Sequence, residues 1–333
     1  MKKILFINTG GTISCRRTEE GLLPSLTARG LLNHVPEVRG LCRCDTLDLM
    51  SLDSSDLSPR HWLSIASTIE KNYEEYDGFI LCHGSDTMSY TASALSYLLA
   101  DSPKPIVLTG AQRPIVQDGS DGKENLLNAF AYALYAAASK VRVVFGGKII
   151  AGTRAKKCRT HSDDAFCSTN FPLIATARHG EVDMAFEEER PSEYPATFDH
   201  DLDCRVALLK LAPNGFEAEH LTWLAERCHG IILEGYGLGN LPMGENDAFL
   251  RALEKATNQG VIIIGATQAP LEGTHMERYA VGNRAKNCGL VESYDMTVEA
   301  AFTKLMYLLS QNLDKETLIS RFYTTVDHDI CLP

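Results

Sequence analysis

Apolar positions in this chain come in short blocks that end on polar, glycine-bearing turns. Ile4-Leu5-Phe6-Ile7 runs into Thr9-Gly10-Gly11-Thr12-Ile13, and Phe79-Ile80-Leu81-Cys82 runs into His83-Gly84-Ser85-Asp86-Thr87. Such blocks predict buried strands. Between them, Thr46 to Met50 alternates as a short strand, the polar cluster Ser51 to Ser58 follows, and Pro59 opens a helix to about Tyr73 with Ser58 as N-cap. A helix from Met88 to Leu99 leads to the strand Ile106 to Leu108, which closes on Thr109-Gly110-Ala111-Gln112. The helical run Glu124 to Ala138 then precedes short strands at Val141 to Phe145 and Ile149 to Ala151. Ser14 to Pro24 and Thr153 to Asn170 hold no period and are expected as loops, the first in the position of a lid.

Strand, polar loop and helix in repetition predict a parallel sheet with crossover helices. Ligands of such sheets bind outside the carboxyl ends of the strands. The loops at Thr12, Asp53 to Asp56, Ser85-Asp86 and Ala111 are therefore expected to converge on one crevice. Residues 189–204, rich in proline and carboxylates, are expected to be a linker. Beyond it the alternation restarts with strands at Val206 to Leu211, Ile231 to Leu233 and Val261 to Ile264. Helices near Glu219 to Arg227, Asp247 to Thr257, Thr297 to Ser310 and Lys315 to Phe322 complete a smaller α/β domain over 205–333. The first domain is expected to span 1–188.

Composition narrows the chemistry. A chain of 333 residues, 44% apolar, supports two cores. Its formal charge of -11 argues against a nucleic-acid surface and for a small uncharged or zwitterionic ligand. Ten cysteines are scattered, and Cys42/Cys44 have the spacing C-x-C, so reduced thiols and no metal site are expected. The apolar run after Met1-Lys2-Lys3 is interrupted by Asn8, Gly10 and Gly11, and no later stretch would cross a bilayer. A cytoplasmic, soluble protein without membrane attachment is the expectation.

Thr12 puts a hydroxyl beside two glycines at a strand end, which suits either a nucleophile or a threonine capping an ordinary turn. Arg154, Lys156, Lys157 and Arg159 form a solvated cation cluster unless one of them enters the crevice. His83 is expected to be structural, and Cys82 and Cys158 to be inert thiols.

Taken together, Thr9-Gly10-Gly11-Thr12-Ile13, Asp53-Ser54-Ser55-Asp56, His83-Gly84-Ser85-Asp86-Thr87-Met88 and Gly235-Tyr236-Gly237-Leu238-Gly239-Asn240 resemble the bacterial-type L-asparaginases. The match extends through Thr109-Gly110-Ala111-Gln112, Ser120-Asp121-Gly122, Asp164-Ala165-Phe166 and Asp295-Met296-Thr297-Val298-Glu299-Ala300, in order and over almost the full length, and is nearest the cytoplasmic type I branch. The resemblance implies a doubly wound N-terminal domain, a smaller C-terminal α/β domain, and a homodimer or homotetramer. It further implies hydrolysis of L-asparagine to L-aspartate and ammonia without metal or organic cofactor. Thr12 matches the nucleophile, Asp53, Ser54 and Ser55 the substrate-holding turn, Ser85 and Asp86 the second hydroxyl and its carboxylate, and Lys157 the lysine.

Two departures stand out. Ser85 replaces the threonine of many relatives and keeps the hydroxyl. Leu22, in Glu20-Gly21-Leu22-Leu23, stands where relatives place a lid tyrosine. Tyr279, in Arg278-Tyr279-Ala280-Val281-Gly282-Asn283, matches the tyrosine used by relatives that lack the lid residue, and is otherwise a packed aromatic. Glu234 and Ala269 occupy positions held by an arginine and a cysteine in asparagine-regulated relatives, so that control is not expected in the same form. Competing readings are an amidohydrolase acting on L-glutamine or a tRNA-linked amide, and a non-catalytic asparagine-binding sensor.

Overall fold

The computed structural model describes residues 1–19, 21–188, 196–243 and 245–333. It divides into two units, Met1–His200 and Asp201–Pro333. Within the expected linker, 189–195 lie outside the described residues.

The first unit opens with β1 (Lys3–Gly10), whose residues from Ile4 onward are all buried. Ile4 and Phe6 point into a core that includes Leu126 and Phe130, with the Phe6 and Phe130 rings 5.9 Å apart. A fully covered strand needs apolar side chains on both faces, which is why this block does not alternate. The chain then forms β2 (Cys15–Thr18) and β3 (Gly21–Pro24), an antiparallel hairpin pairing Arg16 with Leu23 and Arg17 with Leu22. This corrects the expected irregular loop at Ser14 to Pro24: backbone pairing, rather than apolar burial, orders the segment, and Leu22 and Leu23 stay exposed.

Short helices α1 (Ala28–Leu32) and α2 (Val38–Leu41) precede β4 (Arg43–Leu52), longer than the expected strand because it pairs in parallel with nearly all of β1. Helix α3 (Pro59–Lys71) starts after Ser58, whose backbone N–H donates to His61 Nδ1 at 3.0 Å. It is followed by β5 (Gly78–Cys82), α4 (Met88–Leu98), β6 (Ile106–Thr109) and α5 (Gly122–Leu134). Helix α5 ends earlier than expected, where Tyr135 turns extended. Strands β7 (Val141–Phe145), β8 (Lys148–Ala151), β9 (Ala155–Lys157), β10 (Phe166–Ser168), β11 (Ala175–Arg178) and β12 (Glu181–Met184) complete the unit. The expected loop from Thr153 to Asn170 instead contains the antiparallel β9–β10 pair, too short at three residues each to leave a period in the sequence.

Among the described residues, an eight-stranded sheet runs in the order β12-β11-β8-β7-β6-β5-β1-β4. It is parallel from β4 to β7 and antiparallel beyond. Strand β1 has β4 on one side and β5 on the other, so connections leave in opposite directions at its carboxyl end. That is a topological switch point, where open α/β sheets bind ligands.

The second unit has β13 (Val206–Lys210), α6 (Glu217–Ala225), β14 (Gly230–Gly235), α7 (Ala248–Asn258), β15 (Ile262–Thr267), α8 (Ala280–Asn287), β16 (Val291–Glu292), α9 (Val298–Ser310) and α10 (Lys315–Phe322). Its four strands form a parallel sheet in sequence order. The whole is mixed α/β, with the larger, mainly parallel sheet first and a smaller sheet second. Among the described residues, no helix is long and apolar enough to cross a membrane.

Candidate active site

Three loops meet at the carboxyl ends of β4, β1 and β5. Gly11 donates its N–H to the Leu52 carbonyl at 3.0 Å and has φ +81, a left-handed value that a Cβ would strain. A Cβ there would also strike the backbone of Gly84, and one on Gly84 would lie 2.6 Å from Ser54 Oγ. The glycines are thus the means by which these loops reach van der Waals contact. Thr12 and Ser85 flank that contact, each next in sequence to its glycine. The Thr87 hydroxyl closes the arrangement, donating to the Ser54 carbonyl at 2.7 Å.

Asp53 caps the short turn Ser54–Asp56, with Oδ1 accepting from the Ser55 N–H at 2.9 Å and the Ser55 hydroxyl at 2.6 Å. Those hydrogen bonds, the Ser55 hydroxyl's first, hold the Asp53 carboxyl below its usual range. Ser55 therefore gives its hydroxyl to the turn, whereas Ser54 is buried against Gly84.

Lys157 is the member of the cation cluster that enters the crevice. At the end of β9, its Nζ donates to Ser85 Oγ at 2.7 Å and to Asp86 Oδ1 at 2.5 Å. The lysine side chain is 17% exposed and the aspartate 65%, so one end of the pair is sheltered while the other faces solvent. Ser85 in turn donates to Gln112 Oε1 at 3.2 Å. The hydroxyl is held between a cation on one side and a carbonyl on the other.

Gln112 closes the motif Thr109-Gly110-Ala111-Gln112, from which no role for its own side chain is expected. Its Nε2 donates to the Ser162 carbonyl at 3.2 Å, and its backbone N–H to Asp121 Oδ2 at 2.8 Å. Asp121 also accepts from the Arg113 N–H and from Asn125 Nδ2, while burial pushes its carboxyl upward. The polar turn after β6 is the one sequence signal for this residue. Its partner, Ser162, carries no signature because it contributes a backbone atom.

His83 is fully buried, with Nδ1 2.6 Å from the Gly84 carbonyl and Nε2 2.9 Å from Thr91 Oγ1. Burial lowers its pKa to about 4, so it is neutral and braces the loop from behind, a structural part. Cys82 is also fully buried, and burial pushes its thiol upward.

Cys158 corrects an expectation. It is bonded to Cys167 in a disulfide with the Cα atoms 6.3 Å apart. The antiparallel register, Lys157 opposite Phe166 and Lys156 opposite Cys167, brings the two together across nine positions, a spacing no short cysteine motif marks. Tyr279 belongs to the second unit, at the start of α8, and is 47% exposed.

A glycine-lined loop at a switch point, with a hydroxyl, a lysine and a carboxylate gathered beside it, is the kind of site a hydrolase uses. Known proteins show which. A family model for the asparaginase N-terminal domain matches residues 3–190, and one for the glutaminase/asparaginase C-terminal domain matches 205–322. L-asparaginase 1 of Escherichia coli is 35% identical over 95% of this chain and 94% of its own. The thermostable L-asparaginase from Thermococcus kodakarensis superposes with a TM-score of 0.93 at 34% identity, covering 99% of this chain and 100% of its own. A glutamyl-tRNA(Gln) amidotransferase component from Pyrococcus horikoshii is 32% identical over 94% of this chain and 73% of its own. The chain belongs to the asparaginase family, and it is an amidohydrolase.

Proposed function

We propose that this enzyme hydrolyses L-asparagine to L-aspartate and ammonia through an ester formed on Thr12. The observation that carries the reading is the Lys157–Ser85–Asp86 cluster beside the Gly11–Gly84 contact.

A primary amide is a poor electrophile with a poor leaving group, so transfer to a hydroxyl followed by hydrolysis of the ester divides the barrier. Thr12 Oγ attacks the side-chain carbonyl carbon while its proton passes toward the Ser85–Lys157 pair. Backbone N–H groups at Thr12 and the Ser85–Asp86 turn receive the developing oxyanion. The C–N bond breaks as the leaving nitrogen is protonated, and ammonia departs. Water then attacks the ester, and Thr12 recovers its proton.

Lys157 can accept the Thr12 proton only when neutral, and in the free enzyme its amine is held by the Asp86 carboxylate. Substrate resolves the conflict in this reading. The α-ammonium group takes Asp86 as its counter-ion, drawing that carboxylate away from the lysine. Ser54 meets the α-carboxylate, with Asp53 and Ser55 supporting the turn. Tyr279 replaces the lid phenol that Leu22 cannot supply; an unchanged acylation rate in Tyr279→Phe would remove it from the mechanism.

A homodimer or homotetramer, a cytoplasmic location, no metal or organic cofactor, and the division 1–188, 189–204 and 205–333 belong to the same proposal. The amidotransferase relative supports a second reading, a tRNA-linked amide substrate. The net charge of -11 weighs against it, because tRNA binding rests on neutralising phosphates. Ammonia release from L-asparagine, L-glutamine and tRNA charged with glutamine decides the matter. Preference for free L-asparagine supports the proposal, and release only from the charged tRNA overturns it.

A further inference from the structure

We propose that the Cys158–Cys167 disulfide is a reversible redox site that controls how firmly Lys157 and Gln112 hold Ser85. The proposal builds on the asparaginase reading of the same cluster.

Cys158 directly follows Lys157, and its N–H donates to the Ala165 carbonyl at 2.7 Å. The lysine's backbone belongs to a small sheet: β9 and β10 have three residues each and form a two-stranded pair of their own. Isolated two-stranded pairs are marginal in water. The disulfide, spanning nine positions, closes the loop between them into a ring.

That ring reaches Ser85 from two directions. At its mouth is Lys157, 2.7 Å from Ser85 Oγ. Within it is Ser162, whose carbonyl accepts from the Gln112 side chain, and Gln112 accepts the Ser85 hydroxyl. Asp163, next in the ring, pairs with Arg113 at 2.5 Å, and Asp164 pairs with Lys148 and Arg159. The lysine and the glutamine that hold the Ser85 hydroxyl are therefore both tied to one covalent loop. Opening it releases chain entropy at the segment where placement matters most.

The bond is reachable. Cys158 is exposed and Cys167 half-buried, and the neighbouring Lys156 and Arg159 attract an incoming thiolate. The reductant is a dithiol. Its thiolate attacks Cys158 Sγ, the S–S bond breaks, and Cys167 leaves as a thiolate that takes a proton. The second thiol of the reductant then attacks the mixed disulfide, releasing Cys158 and forming the reductant's own disulfide; two electrons and two protons pass to the protein. In the reducing compartment proposed above, such a bond acts as a regulated contact rather than a permanent staple.

The test equilibrates the full-length protein in reduced and oxidised dithiothreitol, assigns the redox state of Cys158 and Cys167 by differential alkylation, and follows ammonia release and amide hydrogen exchange. Reduction is expected to lower kcat for L-asparagine on the order of tenfold, with faster exchange over 155–168 and unchanged exchange over 141–145. A C158S/C167S variant should match the reduced enzyme whatever the dithiothreitol state. Equal exchange over 155–168 in both states overturns the proposal, as does equal kcat in an active enzyme. Faster exchange with no turnover in either state supports the redox coupling and defeats the asparagine reading instead.

Discussion

Lys157 Nζ lies 2.7 Å from Ser85 Oγ, joining the edge of a small two-stranded sheet to the turn after β5. The catalytic proposal depends on this contact, because it links the lysine to the loop that touches the nucleophile's own. Replacing Lys157 with methionine keeps the stem and removes the amine. A positioned base contributes about 10²–10⁴-fold, so K157M is expected to lose that much of kcat while its circular dichroism and melting profile stay near wild type. Retained kcat would take Lys157 out of the proton path.

Gln112 should matter less, and through orientation. Gln112→Met removes the acceptor of the Ser85 hydroxyl without adding charge. We expect kcat to fall on the order of tenfold, with KM changed less, in steady-state assays on both proteins. A fall in kcat/KM owed to KM alone would assign Gln112 to substrate binding.

Gly11→Ala tests the loop contact. The substitution combines a left-handed φ of +81 with a clash against the Gly84 backbone. Strain and overpacking each cost about 1–3 kcal/mol. Urea denaturation should show a loss of that order, and ammonia release should fall with it as Thr12 shifts. A variant with full stability and activity would mean that the loops need not touch.

His83 predicts a pH dependence of stability. Its folded pKa, about 4, lies below the ordinary histidine value of 6.5. The unfolded chain therefore binds the extra proton between those values, and stability falls as the pH falls through that window. Complete above about pH 6.5, the contribution shrinks toward pH 4; a shift of this size corresponds to about 3 kcal/mol. Urea titrations from pH 7 to pH 4 should show the decline in wild type and a flatter profile in His83→Gln, although that variant starts from lower stability. Parallel profiles would assign the acid sensitivity to other groups.

How much of the molecule is legible in its sequence varies with the physics that writes each feature. The apolar blocks Ile4 to Ile7 and Phe79 to Cys82 announce β1 and β5 because covered strands must be apolar on both faces. Their terminal turns announce the crevice, since the alternation of strands and helices places those turns at one sheet end. The hairpin β2–β3 is hidden because backbone hydrogen bonds hold it and most of its side chains, including Leu22, are left exposed. The β9–β10 pair and its disulfide are hidden for a related reason: a three-residue strand is too short for a period, and cysteines nine apart gain meaning only from register. Lys157 is picked out by family resemblance rather than by its own pattern, since a run of cations looks the same whether or not one of them turns inward.

The central claim is that Thr12 carries the acyl group. Rapid acid quench of the enzyme mixed with L-asparagine, followed by peptide mapping, should find an aspartyl ester on Thr12 in wild type. Thr12→Ala should form no ester and lose ammonia release by on the order of 10³-fold or more. Undiminished ammonia release from Thr12→Ala, or an ester on Ser85 instead, would contradict the account.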